Sequence, residues 1–487
     1  MTQYSWLPLY KWVHYIAFTQ RIFVSSLPVS DTAWSHVWYS LSDMSPRGYF
    51  QVRNDLQFTL PSYTHAVCSP HRNMQKPHSF DLPLFFAVIW LIAFGTIMIS
   101  SVSIYASYKL TTAQVAKGLL DEASNSFYLY RHLINAIIAL VSMFLVANIP
   151  YTLIERFTKH IFIGTLFLLL LTFIPEIGAQ YNGARGWLDL PWFPSIQPVE
   201  FVKTGLILFL ALFLKKRYSR IASLEQGFIP YFWIYLLVAL PLAFLPDFWS
   251  ILIITPLVIA LYYLGGGNVR FLGVSILIAC IGAVSIYAIG KSSDSDDPWK
   301  FSYISARIDR FMRSSNEVAT STADGDFQLK QWLIAIGSWG WWGLGFGRSI
   351  QKYGYLPEVQ GDFIFSVIVE ELWLYGAILL ITVYLFIVYR GYMIARGLKD
   401  PFAHYTAFGI STLIGIQAMV NMGVNLNVIP LTGVTLPFVS YGWSSLISLI
   451  IGVGILLSLS KHTNSDMMRQ MNFTIFWPKN AKRVVQR

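Results

Sequence analysis

Long apolar runs constrain this chain more than any other feature of its sequence. The 487 residues are 55% hydrophobic and only 12% charged, and the apolar runs are too long and too numerous for the core of a water-soluble protein. Runs of about 17–25 apolar residues, the length that crosses a bilayer, lie near 83–104, 133–150, 159–176, 198–214, 228–245, 249–266, 269–290, 365–389, 405–425 and 436–459. The sequence therefore predicts an all-α, polytopic membrane protein with about ten transmembrane helices.

Lysine and arginine residues predict how these spans are oriented. Basic residues cluster in the loop 215–220 after the fourth span, in the loop 390–399 and in the tail 461–487. Cytoplasmic loops carry an excess of Lys and Arg, so this side, which includes both termini, is predicted to be cytoplasmic. The net charge of +10 follows from that bias and indicates contact with anionic membrane lipid rather than nucleic-acid binding.

The predicted spans divide the chain into three parts. Residues 1–80 contain neither an apolar run long enough to span nor a signal-peptide pattern, so we expect a cytoplasmic extension that is disordered or lies at the membrane interface. Residues 81–460 form the membrane domain, with a long extracytoplasmic loop, 291–364, between spans seven and eight, and residues 461–487 form a basic cytoplasmic tail. Cys68, Cys280 and the nine histidines show no spacing typical of a disulfide framework or a zinc site.

Asp362 is the strongest candidate for a functional residue. It lies in the stretch 355–365, directly before the eighth apolar run, and a carboxylate at a membrane boundary is costly unless it has a role. The fourth span opens with Gln197, Glu200 and Lys203, of which the last two share a helix face at i, i+3 spacing. This pair either neutralises itself at a helix end or faces an internal cavity, and its membrane depth favours the cavity.

Basic side chains in the predicted outer loops indicate a phosphorylated ligand. Arg307 and Arg310 are three residues apart on a predicted helix in the long loop. Three further polar or basic residues, Arg348, Gln351 and Lys352, precede Asp362 in the same loop, and Arg185 lies in the outer loop between the third and fourth spans. Several cations near one carboxylate suit a phosphate group better than a sugar or a metal alone. The alternative is that Arg185 is an interface anchor beside Trp187 and that the others are solvated loop charges.

Short motifs in a fixed order carry a resemblance to a known family. They are Gly183-Ala184-x-x-Trp187-Leu188, Gln197-Pro198-x-Glu200-x-x-Lys203, Ala335-Ile336-Gly337-Ser338, Gly343-x-Gly345-x-Gly347-x-Ser349-x-Gln351-Lys352, Leu356-Pro357-Glu358, Asp362-x-Ile364-Phe365, Glu370-Glu371-Leu372 and Leu436-Pro437-Phe438-x-Ser440-Tyr441-Gly442. From about residue 83 to 460 the chain thus resembles the SEDS family (shape, elongation, division and sporulation) of bacterial membrane proteins. The stretch 348–357 looks more like its division branch than its elongation branch.

The resemblance implies a function and a site. The family polymerises peptidoglycan strands from lipid II at the outer face of the bacterial cytoplasmic membrane, for cell division or cell shape, beside a class B penicillin-binding transpeptidase and other division proteins. By resemblance, Asp362 matches the essential aspartate of the outer loop, and Glu200 with Lys203 matches the polar pair of the fourth span. Residues expected to line the substrate site are Gln197, Arg185, Arg307, Gln351, Lys352, Glu358 and Ser440.

The chemistry of glycosyl transfer agrees with these assignments. Joining a sugar hydroxyl to an anomeric carbon that carries a lipid pyrophosphate requires a base for the hydroxyl and positive charge on the leaving group. Asp362 is the expected base, with Glu358 as a competitor. Arg307, Lys352 or a divalent cation, Mg²⁺ or Mn²⁺, is the expected counter-charge.

A lipid flippase or transporter and a non-catalytic division scaffold are the alternative functions. Intramembrane Glu200 and Lys203 suit a transporter as well as a polymerase. Asp362 and the cations are predicted in the outer loop, away from the midplane where transport sites usually lie, and this favours the polymerase. A scaffold would be favoured if the outer-loop carboxylate were dispensable.

Two kinds of departure from the family pattern stand out. Arg185 lies one place earlier than the family's arginine, whose position is taken by Gly186. Tryptophan stands where the family has glycine at Trp249, Trp339, Trp373 and Trp443, in turns or close helix contacts where small residues are required. We hypothesise a decoding artefact, in which the source organism reads the codon UGA as glycine whereas this sequence was translated with UGA as tryptophan.

Overall fold

A computed structural model describes residues 79–181, 184–189, 194–292, 301–312, 343–354 and 358–463. The predictions for the N-terminal extension up to residue 78, for the second half of the long loop and for the tail from residue 464 lie outside these residues.

The described chain is built almost entirely of helices. In chain order they are α1 (Leu82–Val102), α2 (Ile104–Ala116), α3 (Phe127–Asn148), α4 (Tyr151–Leu171), α5 (Pro198–Arg217), α6 (Ile229–Phe244), α7 (Phe248–Leu264), α8 (Val269–Ser292), α9 (Phe301–Met312), α10 (Ile364–Gly397), α11 (Pro401–Asn425) and α12 (Trp443–Ser460). A short 3-10 helix (Tyr218–Arg220) and a π-helical turn (Leu224–Phe228) join α5 to α6.

Each predicted span corresponds to one long helix, namely α1, α3 to α8 and α10 to α12. Seven helical stretches within the described residues are long and apolar enough to cross a membrane, and α7 is a shorter apolar helix. This confirms the predicted polytopic, mostly helical architecture.

Several predicted boundaries are wrong. α3 begins at Phe127 rather than 133, and α4 begins at Tyr151 rather than 159, because polar residues in the first turns of both helices hid their starts. The last span begins at Trp443 rather than 436. Phe438 has a φ of 64°, so the stretch after Leu436 forms a turn and not the start of a helix.

A hairpin and a short helix lie near the Asp362 end of the bundle, and of these the hairpin was not predicted. β1 (Gly178–Tyr181) and β2 (Ala184–Leu188) form an antiparallel hairpin in which Ala179 pairs with Trp187. α9 contains Arg307 and Arg310 and is the helix predicted for this part of the long loop. The prediction of an all-α chain therefore misses one small sheet.

The core of the bundle is formed by α5, α11 and α12. In α12, 89% of the apolar window is buried, and in α11 72% is buried, whereas only 6% of the α8 window is buried. α12 packs on α3 and α5, and α11 packs on α10, α5 and α7. The polar groups carried by the central helices are therefore shielded from the surroundings.

Ion pairs fasten the helices at the end of the bundle opposite Asp362. Asp81 caps α1 by accepting from Leu84 N at 2.9 Å, and its carboxylate pairs with Arg390 of α10. Its own N–H donates to Ser460 Oγ of α12 at 3.0 Å. Since both charged side chains are almost fully buried, this pair ties the first, eighth and tenth spans together.

α10 is broken near its start, at Trp373. This residue has φ 54° and ψ −158°, close to a conformation that essentially only glycine adopts. The break exposes the carbonyl groups of Glu370 and Glu371, which accept from Leu344 N at 3.2 Å and from Gly345 N at 3.0 Å. The segment 343–354, which we call the strap, therefore docks on the break in α10.

The other tryptophans of the decoding hypothesis have ordinary surroundings or lie outside the described residues. Trp443 Nε1 donates to Ser195 O at 2.7 Å, and the Trp249 ring lies 5.7 Å from the Arg307 guanidinium carbon. Trp339 is not among the described residues. Only the backbone at Trp373 supports glycine directly, and the hypothesis stays a prediction.

We predict that Trp373→Gly stabilises the protein by about 1–3 kcal/mol, the usual range for relief of such backbone strain. Trp373→Ala is the matched control, because alanine also removes the indole ring but retains the Cβ that disfavours this conformation. Denaturant unfolding of the purified variants in detergent measures both. A glycine variant no more stable than the alanine variant would contradict the strain argument, and a UGG codon at position 373 in the source genome would end the decoding hypothesis.

Candidate active site

Asp362 lies in the turn that leads into α10, and α11 fixes its backbone. Its carbonyl oxygen accepts from Asn421 Nδ2 at 3.0 Å and from Asn425 Nδ2 at 2.9 Å. Asn425 Oδ1 in turn accepts from Ser366 Oγ at 2.6 Å. The two asparagines of α11 thus fix the position of the turn relative to the bundle.

The segment 431–442 forms the opposite wall of the Asp362 turn. A Cβ placed on Gly433, which has a φ of +74°, would lie 3.4 Å from Asp362 Oδ2, so a side chain here would crowd the carboxylate. Ser440 Oγ donates to Gly361 O at 2.6 Å, and Tyr441 N donates to Gln360 O at 2.8 Å. Ser440, predicted to line the substrate site, is therefore placed as a brace of the turn.

Desolvation controls the acidity of Asp362. It raises the pKa of this carboxyl group to about 7, the nearby Glu358 carboxylate acts in the same direction, and the Arg307 guanidinium opposes both. Arg307 Nη1 donates to Leu431 O at 2.9 Å, which positions the guanidinium at the same wall. Partial desolvation also raises the pKa of Glu358. The structure thus brings the predicted residues Asp362, Glu358 and Arg307 together.

Glu200 and Lys203 form a second polar cluster within the bundle. Lys203 Nζ contacts Glu200 Oε1 at 2.7 Å and Gln417 Oε1 of α11 at 3.0 Å. The side chains of Lys203 and Glu200 are only 1% and 9% exposed. Glu200 and Lys203 therefore form a buried ion pair. The second carboxylate oxygen, Glu200 Oε2, is buried without a hydrogen-bond partner among the described residues.

Residues around this pair connect it to neighbouring helices. Gln197 N donates to Ser444 Oγ of α12 at 3.0 Å. Asp247 caps α7 by accepting from Ser250 N at 3.2 Å, and it lies within electrostatic range of Lys203 and Glu200. A Cβ on Gly186 of β2 would lie 3.9 Å from Asp247 Oδ2, so the hairpin that contains the backbone of Arg185 covers this cluster. The Arg185 side chain is not among the described groups.

A polar stripe on α11 links the two clusters, and the sequence interpretation missed it. Gln417, Asn421 and Asn425 follow one another at intervals of four residues, so they share one helix face. Gln417 reaches Lys203, and the two asparagines reach Asp362. Amides at helical spacing inside an otherwise apolar run are visible in the sequence and were the signal that could have found them.

The structure places Lys352 and Gln351 in the strap. Lys352 Nζ contacts Glu371 Oε1 at 3.1 Å, Gly347 O at 2.6 Å and Ser101 Oγ of α1 at 2.9 Å. Its side chain is 3% exposed. The preceding residue, Gln351, is also buried, and its Oε1 has no hydrogen-bond partner among the described residues. The positive charge of Lys352 is thus paired with Glu371.

Adjacent glutamates at the α10 break hold the strap. Glu371 accepts from Gly347 N at 2.9 Å and from Ser349 N at 3.3 Å. Glu370 accepts from Ile350 N at 2.9 Å and from the Ser349 hydroxyl group. Because these carboxylates satisfy backbone groups that would otherwise be buried without partners, they have a structural role.

In the described part of the chain, no three His, Cys, Asp or Glu side chains are grouped in a way that could hold a metal ion. Asp362 and Glu358, which interact electrostatically, are the carboxylates that a divalent cation would meet at this site. The role of Mg²⁺ or Mn²⁺ stays a prediction.

We predict that Glu371→Gln destabilises the protein by about 3–5 kcal/mol, because it leaves the buried Lys352 charge without its partner. The double variant Glu371→Gln/Lys352→Met recovers most of that loss, since the unpaired charge is then gone. Glu155→Gln is the matched control: its partner Lys215 is 28% exposed, and such a pair contributes about 1 kcal/mol or less. Denaturant unfolding of the wild type, the single variants Glu371→Gln and Lys352→Met and their double variant gives the coupling energy, and additive single effects would refute the pairing.

Comparisons with known proteins identify the family. A family profile described as "Cell cycle protein" and built on FtsW, RodA and SpoVE matches residues 82–465. "Stage V sporulation protein E" of Bacillus subtilis is 34% identical over 394 residues, covering 80% of this chain and 99% of that protein. "Probable peptidoglycan glycosyltransferase FtsW" of Geobacter metallireducens is 35% identical over 389 residues, covering 80% and 96%.

Solved structures share the fold. RodA of Thermus thermophilus superposes with a TM-score of 0.55 at 24% identity, over 80% of this chain and 98% of that one. A chain of a peptidoglycan synthase complex superposes with a TM-score of 0.59 at 24% identity, over 78% and 97%. From its sequence and its fold, the chain belongs to the FtsW/RodA/SpoVE family of polytopic membrane proteins.

Proposed function

We propose that this protein is a peptidoglycan glycosyltransferase that polymerises lipid II into glycan strands, in cell division or cell shape. The observation that carries the proposal is the Asp362 carboxyl group, whose pKa is raised to about 7 at the end of the bundle. Proton acceptors are most effective when their pKa lies near the working pH. An aspartate with an ordinary pKa would be a much weaker base.

The reaction follows from this carboxylate. Asp362 accepts the proton of the acceptor sugar hydroxyl group, and the hydroxyl oxygen forms a bond to the anomeric carbon of the donor. The bond between that carbon and the lipid pyrophosphate breaks, and the pyrophosphate leaves with the electron pair. Arg307 supplies positive charge at the same wall, and a divalent cation, if bound near Asp362 and Glu358, would supply more.

Relatives support the substrate and the partners that we assign. Several proteins more than 30% identical to this chain are named probable peptidoglycan glycosyltransferase. A solved complex of the same fold is described as coordinating polymerization and crosslinking, which supports a class B penicillin-binding transpeptidase as partner. We further propose that Asp362 lies on the outer face of the bacterial cytoplasmic membrane and that both termini are cytoplasmic, as the distribution of Lys and Arg predicts.

We predict that Asp362→Asn lowers the rate of lipid II polymerisation by about 10²–10⁴-fold, because the amide cannot accept the proton. The assay follows glycan strands made by the purified protein with its transpeptidase partner. Glu358→Gln is the control and retains most activity if Asp362 is the base. Full activity of the Asp362 variant would remove it from this role, and an inactive wild type would favour the flippase or the scaffold.

The pH dependence of polymerisation tests the electrostatics of the site. Asp362 is protonated below its pKa, and only the carboxylate accepts a proton, so the rate falls as the pH falls through about 7. Arg307→Gln removes the charge that lowers this pKa, so the acid limb moves to higher pH. Glu358→Gln removes a charge that raises it, so the limb moves to lower pH. Shifts in the same direction for both variants would contradict the assignment.

A further inference from the structure

A group of polar and aromatic residues lies where the start of α3 meets the segment 431–442. We call Tyr128, Arg131, His132 and Tyr441 the α3 cluster. The Tyr441 ring centroid lies 5.1 Å from that of Tyr128 and 6.3 Å from that of His132. The Arg131 guanidinium carbon lies 4.6 Å from the centroid of the Phe127 ring. The positive charge of Arg131 opposes the rise that burial causes in the pKa of Tyr441.

The α3 cluster adjoins the Asp362 turn. Tyr441 is tied to that turn through its backbone, since its N–H donates to Gln360 O at 2.8 Å. Glu358 lies within electrostatic range of both Tyr128 and Asp362. A ligand bound against the α3 cluster would therefore reach Asp362.

His132 is a buried polar side chain whose ring nitrogens have no hydrogen-bond partner among the described residues. It is 1% exposed. An unsatisfied buried polar group is destabilising, and such groups in native proteins often mark a ligand or a water site. The neighbouring Tyr441 ring places the imidazole at the wall of the Asp362 turn.

Arg131 is a cation whose charge its described contacts do not neutralise. It is exposed and contacts the Phe127 ring and Tyr441. Lys203 and Lys352, by contrast, are buried and paired with Glu200 and Glu371. An exposed arginine that is not paired with a carboxylate among its described contacts suits the oxygens of a phosphate group.

The surface of α3 next to Arg131 is apolar. Ile134 and Ile138, three and seven residues further on and so on the same helix face, are 57% and 45% exposed. A phosphate bound by Arg131 would thus lie directly above a surface suited to an alkyl chain. This favours a lipid as the source of the phosphate over a small soluble anion.

We propose that the α3 cluster binds the pyrophosphate group of a polyprenyl lipid, through charge-assisted hydrogen bonds from Arg131 and a further hydrogen bond from His132. The site deepens the proposed function and rests on it: the bound pyrophosphate is the leaving group, held next to Asp362. Glu358 stands at the edge of the site.

Binding measured without turnover tests this site. The protein is placed in lipid nanodiscs, and the affinities for a polyprenyl pyrophosphate and for the uncharged polyprenol of the same length are compared. Arg131→Gln is expected to weaken binding of the pyrophosphate about tenfold or more, to leave polyprenol binding unchanged, and to be partly rescued by Arg131→Lys. Lys109→Gln, which removes an exposed cation of α2, is the matched control and should change neither.

Inorganic pyrophosphate distinguishes the two possible sources of the anion. It should compete only weakly, since it lacks the chain that contacts Ile134 and Ile138. Equal affinities of the wild type and Arg131→Gln for the polyprenyl pyrophosphate would overturn the proposal. Competition by inorganic pyrophosphate as strong as that by the lipid would overturn the lipid assignment.

His132→Phe separates ligand binding from packing. Because the imidazole has no protein partner, an apolar ring of similar shape should not lower thermal stability, yet it should weaken binding of the polyprenyl pyrophosphate. Unchanged binding, or a loss of stability without any specific loss of binding, would remove His132 from the site.

Kinetics separate failure of this site from failure of the proposed function. With the transpeptidase partner, Arg131→Gln should raise KM for lipid II. Tight, Arg131-dependent binding by a wild type that makes no glycan would refute the polymerase and leave the site standing. Polymerisation with an unchanged KM in Arg131→Gln would refute the pyrophosphate site and leave the polymerase standing.

Discussion

The need to satisfy polar groups inside an apolar bundle is the constraint on which the rest of this structure depends. Away from water, an unpaired amide or carboxylate is costly, so each buried one must find a partner on another helix. α11 supplies these partners. Gln417 binds Lys203, and Asn421 and Asn425 bind the carbonyl of Asp362. The position of Asp362, the proposed base, is therefore set by two asparagines that lie one and two helical turns along α11 from the glutamine that binds the buried ion pair.

The break in α10 applies the same constraint to the backbone. A helix that stops within the bundle leaves carbonyl groups without partners, and the strap provides them through Leu344 and Gly345. The side-chain carboxylates of Glu370 and Glu371 in turn accept hydrogen bonds from backbone N–H groups of the strap. The shape of this joint depends on residue 373 adopting a conformation that tryptophan adopts poorly. Backbone geometry, and not packing, therefore bears on the identity of that residue.

The helices could be predicted from the sequence because hydrophobic length is a local property, and each of the ten apolar runs became a helix. The helix starts could not be predicted in the same way, because polar residues such as Arg131 and Glu155 belong to helices that begin before their apolar runs. The pairing of Lys352 with Glu371 depends on the fold, so proximity to Asp362 in sequence suggested the wrong neighbour for the lysine. The amide stripe of α11 was readable at four-residue spacing.

The loose packing of α8 has a consequence for the chemistry at Asp362. α8 has the smallest buried share of the candidate spans, yet it carries α9, through contacts that include a hydrogen bond from Tyr287 to Asp309 Oδ1 at 2.6 Å. α9 in turn carries Arg307, whose charge acts on Asp362. The proposed base thus lies beside the buried helix α11, whereas the cation that lowers its pKa is carried by a helix packed on the little-buried α8. A lipid or protein that shifts α8 from outside would therefore also change the proton affinity of Asp362.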